Sequence, residues 1–179
     1  MSLADHPFQG PIHHLGYVVE DLDAAVQRLV GELGAGPFFV LRDVSFEQVT
    51  SRDEPVVFDH DSAFGQCGAI PIEVMQLRRL EPERVRDAFS LPPPQLHHTA
   101  YVVPREHLAE AREELERRGL SAFLHATQGD IDLTYHEAAH SIGHQVELHA
   151  DSQGLRDFFA TIRAASMEWD GSDPLRSLT

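Results

Sequence analysis

Two stretches of this chain are near copies of each other. "IHHLGYVV" occupies residues 12–19 and "LHHTAYVV" residues 96–103. Aligning His14 on His98 sets them 84 residues apart (98 − 14 = 84). Both read as strands, being rich in β-branched and aromatic residues. Each is followed by a helical pattern. In the first, Asp21 is placed to cap, Leu22, Val26, Leu29 and Leu33 fall on one face, and Gly34 and Gly36 are stop signals. In the second, Leu108, Ala111 and Leu115 make the stripe, Arg117 and Arg118 sit in the last turn, and Gly119 stops it. Three strand-like runs follow each helix, near 38–48, 55–66 and 70–79, then near 121–127, 130–136 and 143–149. Each half therefore reads β-α-β-β-β. Two copies are too few for a solenoid. The expected fold class is α+β: two tandem βαβββ modules forming one curved mixed sheet around a shared site, plus a C-terminal helix.

The expected modules are 10–80 and 96–150. Between them, 81–95 holds a short helix opened by Pro82 and then three prolines, a stiff linker. Beyond 151, Leu155, Phe158, Phe159 and Ile162 recur at helical spacing. This predicts a docked helix over 152–165, with "DGSDPLRSLT" a loose tail.

Composition narrows the function. The net charge is −15, which argues against phosphate-rich partners, both nucleic acid and anionic membrane. All 14 basic residues are arginine, so Schiff-base chemistry on lysine is excluded. A single cysteine, Cys67, excludes an intrachain disulfide and a cysteine-only zinc site, and nothing around it marks it as a nucleophile. "MSLADHPFQG" lacks the pattern of a secretion signal, and no apolar run reaches membrane-spanning length. The cytoplasm is the expected compartment.

Alternation along the strands selects candidate ligands. In the first strand Leu15, Tyr17 and Val19 face the helix, leaving His14, Gly16 and Val18 opposed; His98, Ala100 and Val102 repeat this in the second copy. In each, a small residue follows the histidine on its face and leaves room in front of it. In "IPIEVMQ", Glu73 opposes Ile70, Ile72 and Val74. In "GHQVELH", Gln145, Glu147 and His149 oppose Val146 and Leu148. Each half thus offers one histidine and one glutamate on the face away from its helix. His14, Glu73, His98 and Glu147 form an N2O2 donor set suited to a divalent metal such as zinc, nickel, cobalt, manganese or ferrous iron.

"HHLGYVVEDLDAAVQRL", "LHHTAYVV" and "GHQVELH" resemble the two module openings and the closing strand of the vicinal oxygen chelate superfamily. That superfamily spans glyoxalase I, methylmalonyl-CoA epimerase, extradiol dioxygenases, fosfomycin-resistance proteins and metal-free antibiotic-binding proteins. The likeness is nearest to glyoxalase-like and epimerase-like members. It implies the same four ligands and a lyase or isomerase that binds a small substrate through two oxygens and stabilises an enolate or other oxyanion. It makes Glu147 and Glu73 the candidate bases and suggests a homodimer. His60, His136 and Tyr135 are candidate pocket or supporting groups. An extradiol-type dioxygenase needs two histidines, one carboxylate and open positions, which a fourth ligand opposes; a metal-free binding protein has no use for the histidine–glutamate pairs. No basic cluster marks a site for coenzyme A or glutathione.

A rival pattern lies nearby. "HEAAH" at 136–140 fits the zinc-protease motif, which requires a helix that puts both histidines on one face. Here an alternating run precedes it and a strand follows closely, and Val146 stands where a third histidine ligand would fall. His136–His140 is expected to be a connector.

Overall fold

The computed structural model describes residues 10–90 and 96–177. The first module opens with β1 (His14–Val18) and α1 (Leu22–Leu33). The Asp21 carboxylate accepts from the Ala24 N–H at 2.9 Å, and Gly34 ends the helix at φ 63°, where a side chain would be strained. Leu22 and Val26 are fully buried against Ile72 and Val74, whereas Leu33, expected on the same stripe, is exposed. The chain continues through β2 (Phe38–Val44), β3 (Gln48–Ser51), β4 (Glu54–Pro55), β5 (Val57–Cys67), β6 (Ile70–Glu81) and α2 (Glu83–Phe89). The three linker prolines lie outside the described residues.

The second module comprises β7 (Leu96–Val103), α3 (Leu108–Arg117), β8 (Ala122–Gln128), β9 (Ile131–His136), α4 (Ala139–Ile142) and β10 (Gln145–Ala150). Leu108, Ala111 and Leu115 pack on Val103, Val146 and Leu148, as the stripe predicts. The chain closes with α5 (Gln153–Ser166) and β11 (Leu175–Ser177). No described helix is long and apolar enough to cross a membrane.

One eleven-stranded mixed sheet results, in the order β11-β2-β5-β6-β1-β7-β10-β9-β8-β3-β4. The modules meet where β1 and β7 pair antiparallel. Inside each module the opening and closing strands pair parallel, with Gly16 opposite Glu73 in β1/β6 and Ala100 opposite Glu147 in β7/β10. The 84-residue offset between the repeats therefore also relates Gly16 to Ala100 in the sheet.

The run at 38–48, expected as one strand, is broken. Asp43 takes a positive φ of 53°, and its N–H bonds the Asp61 carboxylate at 2.9 Å. The chain leaves the sheet there and returns as β3, which pairs with β8 of the other module. Positions two and ten of the sheet would lie about 38 Å apart if flat. The four steps from Val44 to Gln48 span at most about 14 Å, so the sheet must curve until its ends nearly meet. The expected loose tail also needs correction: Leu175–Ser177 pair parallel with Phe38–Val40 and cover that edge. Above the concavity lies α5, capped by Ser152, with Phe159 and Ile162 buried on Phe39.

Candidate functional site

The geometry begins at the β1/β7 crossing. His14 pairs opposite Ala100 and Gly16 opposite His98, so each histidine lies across from the small residue of the other strand. The space expected in front of the strands is not left open. A Cβ on Gly16 would lie 1.9 Å from the His98 ring. Glycine is what admits that ring.

His14, Glu73, His98 and Glu147 converge from β1, β6, β7 and β10, all buried, with one ligand atom from each within 4.8 Å of all the others. His14 Nε2 is 3.2 Å from Glu147 Oε2 and 3.6 Å from Glu73 Oε2; His98 Nε2 is 3.3 Å from both. Ligands held tetrahedrally at zinc bond lengths stand about 3.3 Å apart. His14 Nε2, His98 Nε2 and Glu147 Oε2 are buried without a hydrogen-bond partner, since their close approaches lack hydrogen-bond angles. Atoms that face a common centre rather than each other, and are shut off from water, suit an ion between them. The donor set fits a divalent metal, which would be held by these four residues.

Burial alone would lower the pKa of His98, but the Glu147 and Glu73 carboxylates hold it at about 9; His14 is likewise raised. Burial works against ionising Glu73 and Glu147, yet both are held below the usual carboxylate range. For Glu73 the cause is His14 and His98; for Glu147 it is chiefly His149 and His98. Without a metal, histidine protons supply the countercharge. A bound ion would displace them.

Supporting groups were only partly legible. His13 Nδ1 lies 3.0 Å from His14 Nδ1, and His97 Nδ1 2.9 Å from His98 Nδ1. Burial and the adjacent histidine lower His13 to about 4 and His97 to about 3, so both are neutral. A neutral imidazole there can accept from the ligand's Nδ1–H and leave Nε2 free for a metal. His97 Nε2–H donates in turn to the Phe89 carbonyl at 2.6 Å. The doubled "HH" carried this signal, but it named only the second histidine of each pair.

Ser62 donates to Glu73 Oε1 at 2.9 Å, while His149 Nε2 stands 3.3 Å from Glu147 Oε1. Tyr135 pairs opposite Glu147 and packs its ring edge on His98; burial and the two carboxylates raise its pKa well above 10, so it stays a phenol. His60 lines the same hollow. His136 does not: its ring binds the Leu120 carbonyl and the Thr134 hydroxyl. It is the last residue of β9 rather than part of a connector, and His140 is exposed on α4. The protease geometry is absent, because only one histidine of the motif is helical.

A cavity of about 400 Å³ opens beside His14, Glu73 and Glu147, roofed by Phe158 and Phe159 of α5. His98 lies behind these three and does not line it.

Comparison with known proteins agrees with this architecture. A sequence search of curated proteins finds no match. The structure resembles methylmalonyl-CoA epimerase from Mycobacterium tuberculosis (TM-score 0.53, 16% identity, covering 87% of this chain and 97% of that one). It also resembles a hypothetical protein from Bacillus halodurans C-125 (TM-score 0.52, 15% identity, covering 80% and 95%). At these identities the likeness is one of fold. The model of the glyoxalase/bleomycin resistance protein/dioxygenase superfamily matches residues 13–135, stopping short of the strand that bears Glu147. By that match, which takes in well over half of its length, the chain belongs to this superfamily, the vicinal oxygen chelate group.

Proposed function

We propose that this protein is a metal-dependent lyase or isomerase of glyoxalase or epimerase type, with His14, Glu73, His98 and Glu147 as ligands. The observation that carries the reading is the set of converging, buried, unpartnered ligand atoms at the wall of a cavity. A divalent ion bound there would supply a Lewis acid that stabilises an oxyanion on a substrate binding through two oxygens. The chain's own work is proton transfer. Glu73 and Glu147 both line the cavity, and either carboxylate, loosened from the ion when substrate binds, would take a proton from the carbon beside that oxygen and return it. Glu73 is the stronger candidate. Its other oxygen is held by the neutral Ser62 hydroxyl, whereas the other oxygen of Glu147 faces the His149 ring at 3.3 Å. The surrounding apolar walls exclude water from the reacting carbon. By analogy of fold the working unit is a homodimer, and a monomer in solution scattering would remove that part alone.

The test is metal content followed by exchange. Protein purified without added metal should carry or take up one divalent ion per chain, and folded His14→Ala and Glu147→Gln variants should lose it. In D2O the loaded protein should then exchange the α-proton of an accepted 2-oxo or acyl substrate, read by NMR. Metal retained by both variants would sink the ligand assignment. Oxygen uptake with a catechol would replace the isomerase reading with a dioxygenase.

A further inference from the structure

The arginines avoid the cavity. Among the described residues no arginine lines it, and the chain has no lysine. Arg42 and Arg78 are tied to Asp61, Arg112 to Asp132, and Arg105 is exposed and bonds the Asp130 carbonyl. Asp130 does line the cavity, as do two of the proposed ligand glutamates. Two glutamates balance a divalent ion, and His149, the further ring that could carry charge in the lining, stands against Glu147 Oε1 at 3.3 Å, so no guanidinium or ammonium is left for a substrate's phosphate or carboxylate. Most of the remaining wall is apolar, including Leu41, Phe46, Phe58, Met75, Leu133 and Phe158.

Besides the proposed ligands, one polar side chain among the lining residues keeps a buried atom without a partner. His60 is 4% exposed, and its Nδ1 is buried with no hydrogen-bond partner. Its ring stacks on Phe58 (centroids 4.5 Å, interplanar angle 26°) and also lies near Phe46 (5.9 Å, 27°). The stack sets the plane of the ring. A buried polar atom without a partner is unfavourable unless something pairs with it.

We propose that the cavity takes an uncharged, apolar-bodied substrate whose oxygen pair sits at the His14–Glu73–Glu147 wall and whose remote hydrogen-bonding group is met by His60 Nδ1. This rests on the metal reading above and adds the substrate class to it. The volume of about 400 Å³ is near the lower end for small-molecule pockets and accommodates a fused-ring body.

Hydroxamic acids test this, because they present one chelating oxygen pair on interchangeable bodies. Cobalt(II)-loaded protein would be titrated with acetohydroxamate, 2-naphthohydroxamate, benzohydroxamate, 4-phosphonobenzohydroxamate and the monohydroxylated 2-naphthohydroxamates. The cobalt absorption bands report engagement of the ion. The naphthyl body should tighten binding about 10- to 100-fold over the methyl one. The phosphonate should bind at least about 10-fold more weakly than benzohydroxamate. The best hydroxylated isomer should gain about 5- to 15-fold over its parent. That gain, taken as a ratio within each variant, should fall to near one in His60→Phe and survive in part in His60→Gln, which keeps a hydrogen-bonding amide.

Phosphonate binding as tight as benzohydroxamate, or no preference for the naphthyl body, would overturn the substrate class and leave the metal site standing. An undiminished hydroxyl gain in folded His60→Phe, or no gain for any isomer in the parent protein, would overturn the role of His60. Failure to take up cobalt, or bands that no hydroxamate perturbs, would bring down the metal reading and this one with it.

Discussion

The two half-sites share a backbone and differ in their surroundings. His14 and His98 occupy equivalent positions in β1 and β7, and Glu73 and Glu147 in β6 and β10. Phe64, opposite Glu73, corresponds to Tyr135, opposite Glu147; both rings meet their own histidine edge-on. Two residues beyond each glutamate, Met75 corresponds to His149. The second histidine is the enclosed one: His98 is buried over Gly16, braced by His97 and edged by Tyr135, and of the four it alone does not line the cavity. The first histidine faces the cavity, with His14 beside Phe64 and stacked on Phe159 of α5. Duplication supplies four converging side chains that could hold an ion, but a symmetric site would have two equivalent sides. On the proposed reading the differences make one half an anchor and the other a working face.

The sharpest way to break that comparison is at the small residues beneath the histidines. Gly16→Ala would drive a Cβ into the His98 ring, which His97 and Tyr135 keep from moving aside. We expect a loss of about 3 kcal/mol from overpacking and a fall in metal affinity of more than about 100-fold as the ring is displaced. Ala100→Gly, its twin beneath His14, should cost about 1 kcal/mol and keep its metal. Thermal unfolding with and without zinc, plus metal analysis, measures both. Equal losses at the two positions would refute the anchor.

Much of this site was legible because strand alternation is strict. Once "IHHLGYVV" and "LHHTAYVV" are strands, His14 and His98 must share a face, and the closing strands place Glu73 and Glu147 the same way. The caps of α1 were equally plain, because Asp21 and Gly34 act locally. What escaped depended on distant partners. Nothing in 38–48 marks a break, since Asp43 adopts its left-handed turn only where the Asp61 carboxylate, 18 residues on, receives its N–H. The polar tail forms β11 because β2 offers it an edge. Gly16 showed as a small residue, but its use, to seat a ring from the other module, required the β1/β7 register.

The histidines that precede the ligands sharpen the comparison. His97 is 1% exposed and held by the Phe89 carbonyl, so His97→Phe strands both that carbonyl and the Nδ1–H of His98 away from water. Metal affinity, measured by chelator competition, should fall about 10- to 100-fold. His13 is half-buried beside Phe159, where water can replace it. His13→Phe should therefore cost less than about 10-fold. Similar losses from both would mean that the halves are equally braced.

On the outer face, Asp61 and Asp132 stand three residues before Phe64 and Tyr135. Burial raises the Asp61 pKa, but Arg78, the Asp43 N–H and Arg42 outweigh it and bring it to about 2; Asp132 is lowered by Arg112 and His125 against its own burial. A depressed carboxylate stabilises the fold above its unfolded pKa, near 3.9, and loses that contribution as pH falls through the folded value. Because the arginines on Asp61 are nearly half exposed, screening limits the effect. Asp61→Asn should cost about 1–2 kcal/mol at pH 7, and Asp132→Asn less. The Asp61 gap should close between about pH 4 and pH 2 in acid-denaturation series. A gap that persists below pH 2 would show that shape, rather than charge, holds β2 to β5.

The smallest expected effect tests the site against its rival. His136 is buried and already bonded on both ring nitrogens, to Leu120 and Thr134, while His140 is exposed on α4. His140→Ala removes no buried contact, so stability should stay within about 0.5 kcal/mol and metal content should not change. His14→Ala and His98→Ala, checked for folding by circular dichroism, should lose the ion, because each removes an unpartnered nitrogen from the centre of the cluster. The "HEAAH" motif requires the reverse, since a zinc ion held by His136 and His140 would be indifferent to two histidines on other strands. Metal lost from His140→Ala and kept by the two strand variants would overturn the duplicated site, and with it the contrast between an anchoring half and a working one.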